Sequence, residues 1–192
     1  MPVSSEALEA ARLIDRLERL ARFGEQSGDL NPAQWEALRY LWQANRFSRT
    51  PAALADYLAS TRGTISRTLA SLETKGYVER RSNLRDGRSV EFVLTGKAAA
   101  ALEGDPLFAL AENIEKAAGS DMALMLEGLR RTLRTAIARN RGRAFGACRS
   151  CFYFRVDVRP GSSSAHHCGL LDEPLSDEES RLICAEHRPR AA

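Results

Sequence analysis

Every cysteine and histidine of this chain lies at its C-terminal end: Cys148, Cys151, Cys168 and Cys184, with His166, His167 and His187. Thiolate and imidazole are the main soft ligands for zinc, copper and iron–sulfur clusters. The spacing is Cys148-x-x-Cys151, then His166-His167-Cys168, then Cys184-x-x-His187. A Cys-x-x-Cys turn aims two thiolates at one ion, and four ligands complete a tetrahedron. Three readings stand side by side. In the first, Cys148, Cys151, Cys168 and Cys184 hold an iron–sulfur cluster, which suits dispersed thiolates; Cys168 and Cys184 form no knuckle with each other. In the second, zinc sits on the four thiols, or on Cys148, Cys151 and Cys184 with His187 as the alternative ligand. In the third, the thiols are free or Cys148 and Cys151 form a reversible disulfide. His166 and His167 are expected beside the site or on an exposed loop. Phe152, Tyr153 and Phe154 are expected to shield it from water.

A chain of 192 residues is long enough for one generous domain, or for a compact domain with an appendage. No apolar run approaches the roughly 20 residues that span a bilayer. The start, Met-Pro-Val-Ser-Ser-Glu, lacks a basic segment followed by an apolar core, so a reducing cytoplasm is the expected location. There a cysteine cluster points to metal or redox chemistry rather than to structural disulfides. Net charge is only +3, but arginine is dense from Arg62 to Arg88 and again from Arg130 to Arg143. Local basic stretches on a near-neutral chain fit a surface that meets phosphate.

The elements that must carry these residues follow from periodicity. Ala10, Leu13, Ile14, Leu17, Leu20 and Ala21 recur at helical spacing within Ser5–Phe23, between charged residues. Asn31-Pro32 and Thr50-Pro51 are helix starts, each a capping side chain before a proline. The first of these helices is expected to bury Trp35, Leu38, Leu41 and Trp42 and to end near Asn45. The second presents Ala53, Leu54, Tyr57 and Leu58. A turn is expected over Ser60–Gly63. A third helix from Thr64 to Lys75 then turns Ile65, Leu69 and Leu72 inward, and Gly76 stops it. Tyr77–Arg80 and Ser89–Leu94 read as two strands around a basic, polar turn, 83–88. Helices follow over Lys97–Leu102, Leu107–Ala117 and from Asp121, the last with Met122, Met125, Leu126, Leu129, Leu133, Ala136 and Ile137 on one stripe. A linker over Arg141–Gly146 leads into the cysteine segment.

Two short helices joined by a turn and followed by a hairpin with an arginine tip describe a winged helix-turn-helix. Arg62, Thr64, Ser66, Arg67 and Ser71 lie on the third helix away from its apolar face. Arginine bonds a guanine edge bidentately, and short hydroxyls reach bases or phosphates. Arg80, Arg81, Arg85 and Arg88 on the hairpin can reach the flanking backbone or the minor groove. The candidate DNA contacts are therefore Arg62, Thr64, Ser66, Arg67, Arg85 and Arg88.

Several blocks in order, from Gln34-Trp35-x-x-Leu38 through Leu54-Ala55-x-x-Leu58 to Ser66-Arg67-Thr68-Leu69-x-x-Leu72-x-x-Lys75-Gly76-Tyr77-Val78, resemble the MarR family of bacterial regulators. Asp86-Gly87-Arg88 and Leu94-Thr95 resemble its wing, with Gly96 one position away from the usual glycine. The resemblance covers roughly Ser5 to Asn140. It implies a mainly α, winged helix-turn-helix dimer whose terminal helices intertwine, with recognition helices about one DNA turn apart. The wing arginine would meet DNA and Asp86 would hold the loop.

Four parts result: a dimerisation helix over 1–30, a DNA-binding domain over 31–97, C-terminal dimerisation helices over 98–143 and a Cys/His-rich metal-binding tail over 144–192. The expectation is a sequence-specific, homodimeric regulator, a repressor by first reading, whose tail senses redox state, oxygen or metal. A purely structural zinc is the second reading, and a Cys-x-x-Cys thiol oxidoreductase the third. No catalytic base, nucleophile or phosphate loop stands out, so no enzyme is expected.

Overall fold

The computed structural model describes residues 3–24, 28–82, 90–140 and 142–190. Its centre is α2 (Pro32–Gln43), which starts where Asn31 accepts from the Gln34 N–H and Gln34 reaches back to the Asn31 N–H, a reciprocal capping box. α2 buries Trp35, Ala37, Leu38, Tyr40 and Leu41. Trp42 does not join them. It is 56 % exposed, because one step beyond Leu41 carries it about 100° round the helix and off the core face.

α3 (Pro51–Tyr57) is capped by the Thr50 hydroxyl, and α4 (Arg62–Thr74) by that of Thr61. The turn between them sits earlier than glycine placement suggests. Ala59 adopts the left-handed conformation at φ 49°, and the Ser60 N–H bonds back to Ala55 O at 3.0 Å. Arg62 and Gly63 therefore belong to α4 and not to the turn. Ile65, Leu69 and Leu72 face the core, and Gly76, at φ 75°, turns the chain into the hairpin. β1 (Val78–Ser82) pairs antiparallel with β2 (Val90–Leu94), Val78 opposite Leu94 and Ser82 opposite Val90. Val78 and Phe92 are the hairpin's buried residues.

α5 (Gly96–Glu103) closes the core with Ala98 and Leu102. α6 (Leu107–Ala118) and α7 (Met122–Arg139) bury no residue within the chain. α1 (Ser5–Gly24) packs on α6 and leaves Leu13, Ile14, Leu17 and Leu20 exposed. On α7, Leu126, Leu129 and Leu133 are exposed in the same way.

The cysteine segment folds into short paired strands that periodicity did not announce. β3 (Gly146–Ala147) pairs with β7 (Ile183–Cys184), and β4 (Phe154–Arg155), β5 (His166–Cys168) and β6 (Glu173–Leu175) form a second sheet. α8 (Asp177–Arg181) begins with a capping box between Ser176 and Glu179. The segment is seated on the α2–α3 connection. Ile183 bridges Ala44, the Ala185 N–H donates to Ser48 Oγ at 2.8 Å, and Ala185 lies in the same apolar core as α2. Arg46 reaches across to Glu179 and donates to Pro174 O at 2.7 Å.

Candidate functional site

Two surfaces carry chemistry. The first is the outer face of α4. Arg62, Thr64, Ser66 and Arg67 are exposed there, while Ile65, Leu69 and Leu72 anchor the helix from beneath. The Thr61 hydroxyl accepts from the Thr64 N–H at 3.1 Å, which fixes the first turn, where Arg62 stands. Thr64 Oγ1 lies 2.9 Å from Thr61 Oγ1, so its hydroxyl is already engaged locally. Ser71, grouped by sequence with the outward residues, accepts from Gln34 Nε2 at 2.9 Å and serves the packing of α2 on α4. Arg80 and Arg81 are exposed on β1, and Arg81 pairs with Glu79 at 3.3 Å. Arg85 and Arg88 lie outside the described residues.

The second surface is built by the tail. Cys148 and Cys151 span one tight turn, with the Cys151 N–H on Cys148 O at 2.9 Å. Cys184 opens a similar turn, with the His187 N–H on Cys184 O at 3.3 Å. The β3–β7 pairing sets these two turns side by side, Gly146 opposite Cys184, and the β4–β5 pairing adds Cys168 opposite Phe154. All four cysteines consequently line one small cavity, walled by Tyr153, Phe154, Leu170 and Leu175, with Glu186 at its edge and room of about 10 Å³. Cys148, Cys151 and Cys184 are buried, and Cys168 is half-buried.

The thiols are not equivalent. The interaction between the neighbouring Cys148 and Cys184 thiols splits them: it pulls Cys184 down to about 6 and, with burial, pushes Cys148 up. The Asn45 side-chain amide donates to Cys148 Sγ at 3.4 Å from the end of α2. Among the described residues no group of three or more Cys, His, Asp and Glu side chains is gathered about a single point so as to hold one metal ion. All four sequence-predicted cysteines nonetheless share the cavity, with the Glu186 carboxylate as a hard donor among its lining residues.

The histidines stand apart from that cavity. The His187 ring lies flat on Gly146, where a Cβ would come within 2.6 Å of it. Its Nε2 is 2.9 Å from Ser150 Oγ, its Nδ1 is buried without a partner, and burial lowers its basicity. His166 accepts from the Asp157 N–H at Nδ1, 3.1 Å, and its ring sits 5.1 Å from that of Phe154. His167 faces Asp172. Of the three aromatic residues expected as a shield, Tyr153 and Phe154 line the cavity, whereas Phe152 is 48 % exposed and stacks edge-on against Tyr153.

Sequence reasoning missed Asn45, Leu175 and Phe47, which bring the α2–α3 connection and β6 against the thiols. The Ser176-x-x-Glu179 capping signature was the available signal for α8 and hence for the strand before it. Nothing local marks Asn45, whose role depends on a contact 103 residues away.

Residues 28–89 match the family model described as "MarR family". No curated protein matches the chain. Among solved structures, the apo form of wild-type MarR from E. coli is 26 % identical, covering 69 % of this chain and 98 % of that one, with a TM-score of 0.53. FabT from Streptococcus pneumoniae in complex with DNA is 22 % identical over 67 % of this chain and 92 % of its own, with a TM-score of 0.56. A MarR transcriptional regulator from Methanosarcina mazei Go1 is 23 % identical over 67 % and 96 %, with a TM-score of 0.55. The chain thus has the mainly helical, winged-helix fold of those proteins. Among the described residues no helix is long and apolar enough to cross a membrane.

Proposed function

We propose that this chain is a DNA-binding transcription regulator of the MarR type, acting as a homodimer, whose C-terminal cysteines hold a metal centre. The observation that carries DNA binding is α4: an exposed Arg62, Thr64, Ser66 and Arg67 on a helix locked from beneath and followed by a hairpin, inside the span that matches the family model. The resemblance to FabT, solved with DNA, supports the same reading. The exposed leucines of α1 and α7 support the dimer, since two apolar stripes facing water would bury one another in a partner. Repression is the first reading of its effect, and a reducing cytoplasm would keep the thiols available.

For the metal centre, four soft thiol donors on one cavity wall match the four thiolates that an iron–sulfur cluster takes. Zinc is the second reading, favoured by the small room between the sulfurs and by the contact of Cys148 with Cys184. A thiol oxidoreductase is disfavoured because Cys148 and Cys151 are both buried, where a reactive thiol needs access.

Two measurements test this. Selection from a random double-stranded DNA library by the purified chain should enrich a two-fold symmetric site with half-sites about 10 base pairs apart; no enriched sequence would count against DNA reading. Iron, sulfide and zinc analysis of anaerobically purified protein, with its visible spectrum, separates the metals. A colourless chain with one zinc per protomer removes the cluster, and a chain carrying neither metal removes the centre.

A further inference from the structure

Asn45 is fully buried at the point where α2 ends. Its backbone N–H donates to Ile183 O at 2.9 Å, its Nδ2 donates to Cys148 Sγ at 3.4 Å, and its Oδ1 has no partner. A buried polar group left unpaired costs about 1–3 kcal/mol, so an apolar residue of the same shape would be the better choice for packing alone. What the amide adds at this position is a hydrogen-bond donor aimed at a sulfur. Such a bond is stronger when the acceptor is charged, and a metal-bound thiolate is a charged acceptor where a thiol is a weak one.

The residues after Asn45 tie the same place to the DNA-reading half. Ser48 Oγ accepts from the N–H of Ala185, the neighbour of Cys184, and Ser48 O accepts from the Tyr40 hydroxyl at 2.7 Å. Arg49 Nε donates to Ala44 O at 3.0 Å and closes the connection, while Arg49 O accepts from the N–H of Phe92 in β2 at 2.9 Å. Thr50 then caps α3. One end of this short connection touches both cysteine turns, and the other holds the wing and the first helix of the helix-turn-helix.

We propose, resting on the reading that the thiols hold a metal, that Asn45 is a positioning residue for that centre and that residues 44–50 carry its state to α3 and the wing. With Cys148 as a bound thiolate the Asn45 amide is held, and the connection is ordered from both ends. With the metal gone, the amide keeps only a weak acceptor, and the order of residues 44–50 and of β2 is relaxed.

The test compares hydrogen exchange in the full chain, purified anaerobically with its metal and again after removal of the metal by a chelator. In the wild-type chain the metal should slow exchange at least tenfold in peptides covering 44–50 and 90–94. In Asn45→Leu, which keeps the shape and loses the donor, the metal should still slow exchange within 148–187 but leave 44–50 and 90–94 unchanged. Asn45→Ala serves the same comparison should the leucine variant fail to fold. Equal slowing of 44–50 and 90–94 in the wild type and the variants overturns the role of Asn45. A wild-type chain that binds metal with no change in those peptides overturns the coupling while leaving the metal centre standing. A wild-type chain with neither iron nor zinc removes the metal reading first and the proposal with it.

Discussion

Arg39 on α2 and Asp105, in the three-residue link between α5 and α6, form a nearly buried ion pair, with Arg39 Nε donating to Asp105 Oδ2 at 2.8 Å and a second guanidinium nitrogen on Oδ1. Asp105 Oδ1 also accepts from the Leu107 N–H at 2.8 Å, so one carboxylate fixes the start of α6 to the central helix of the winged-helix body. Burial pushes this carboxyl up, but the bonds from Arg39 and Leu107 outweigh it and hold it below the ordinary 3.8. A depressed folded value means that the pair's contribution is present above the unfolded value, near 3.9, and is lost as pH falls below it. Asp105→Asn should cost about 3 kcal/mol at pH 7, as for one partner removed from a buried pair, and clearly less at pH 3. Urea unfolding at the two pH values measures this; an equal cost at both would show that charge is not what the residue supplies.

The left-handed Ala59 between α3 and α4 makes the opposite kind of prediction. A side chain in that conformation costs roughly 1 kcal/mol, and glycine escapes the cost. Ala59→Gly should raise stability by about 0.5–1 kcal/mol in a denaturant titration. A loss of stability would mean that the Ala59 methyl packs better than its exposed position implies.

On the outer face of α4, Arg67→Ala should weaken binding to the selected DNA duplex by about 1–3 kcal/mol if the guanidinium reads a base. It should lower the slope of log K against log salt by about 1 if it contacts a phosphate. Fluorescence anisotropy at several salt concentrations distinguishes the two. Arg62→Ala is the companion variant, and unchanged affinity in both would move the interface off this helix.

Gly146 and His187 give a test that bears on the alternative ligand. A methyl group at Gly146 would stand 2.6 Å from the His187 ring, so Gly146→Ala should displace the ring and loosen the β3–β7 pair. On the proposed metal centre, His187→Gln, by contrast, should leave metal binding intact, because the ring does not line the cavity that the four cysteines share. Cys148→Ser should abolish it. Loss of metal in His187→Gln would restore the histidine to the ligand set.

The helical body was legible in the sequence because its signals are local. Asn31-Pro32, Thr50-Pro51 and Gly76 punctuate the chain, and Ile65, Leu69 and Leu72 repeat at helical spacing. Legibility failed where side chains obey distant partners. Trp42 looked like core by type and is not, since its neighbours already fill the inner face of α2. The α3–α4 turn was misplaced because it is made by an alanine rather than a glycine. The tail's strands are two or three residues long, too short for any period to show, and they exist through pairing across tens of residues. The cysteines could be grouped by type, but their common cavity depends on Asn45, Phe47 and Leu175, which no motif contains.

The placement of Ala185 among the apolar residues of α2 has a consequence for how such a chain can be taken apart. A protein cut near Asn140 would lose more than its cysteines, because Tyr40, Ala44 and Ser48 would exchange a protein neighbour for water. The cysteine segment is a plug rather than a pendant. Deleting it wholesale would strip cover from the helical core as well as remove the thiols, whereas single-atom changes at the sulfurs leave that cover in place.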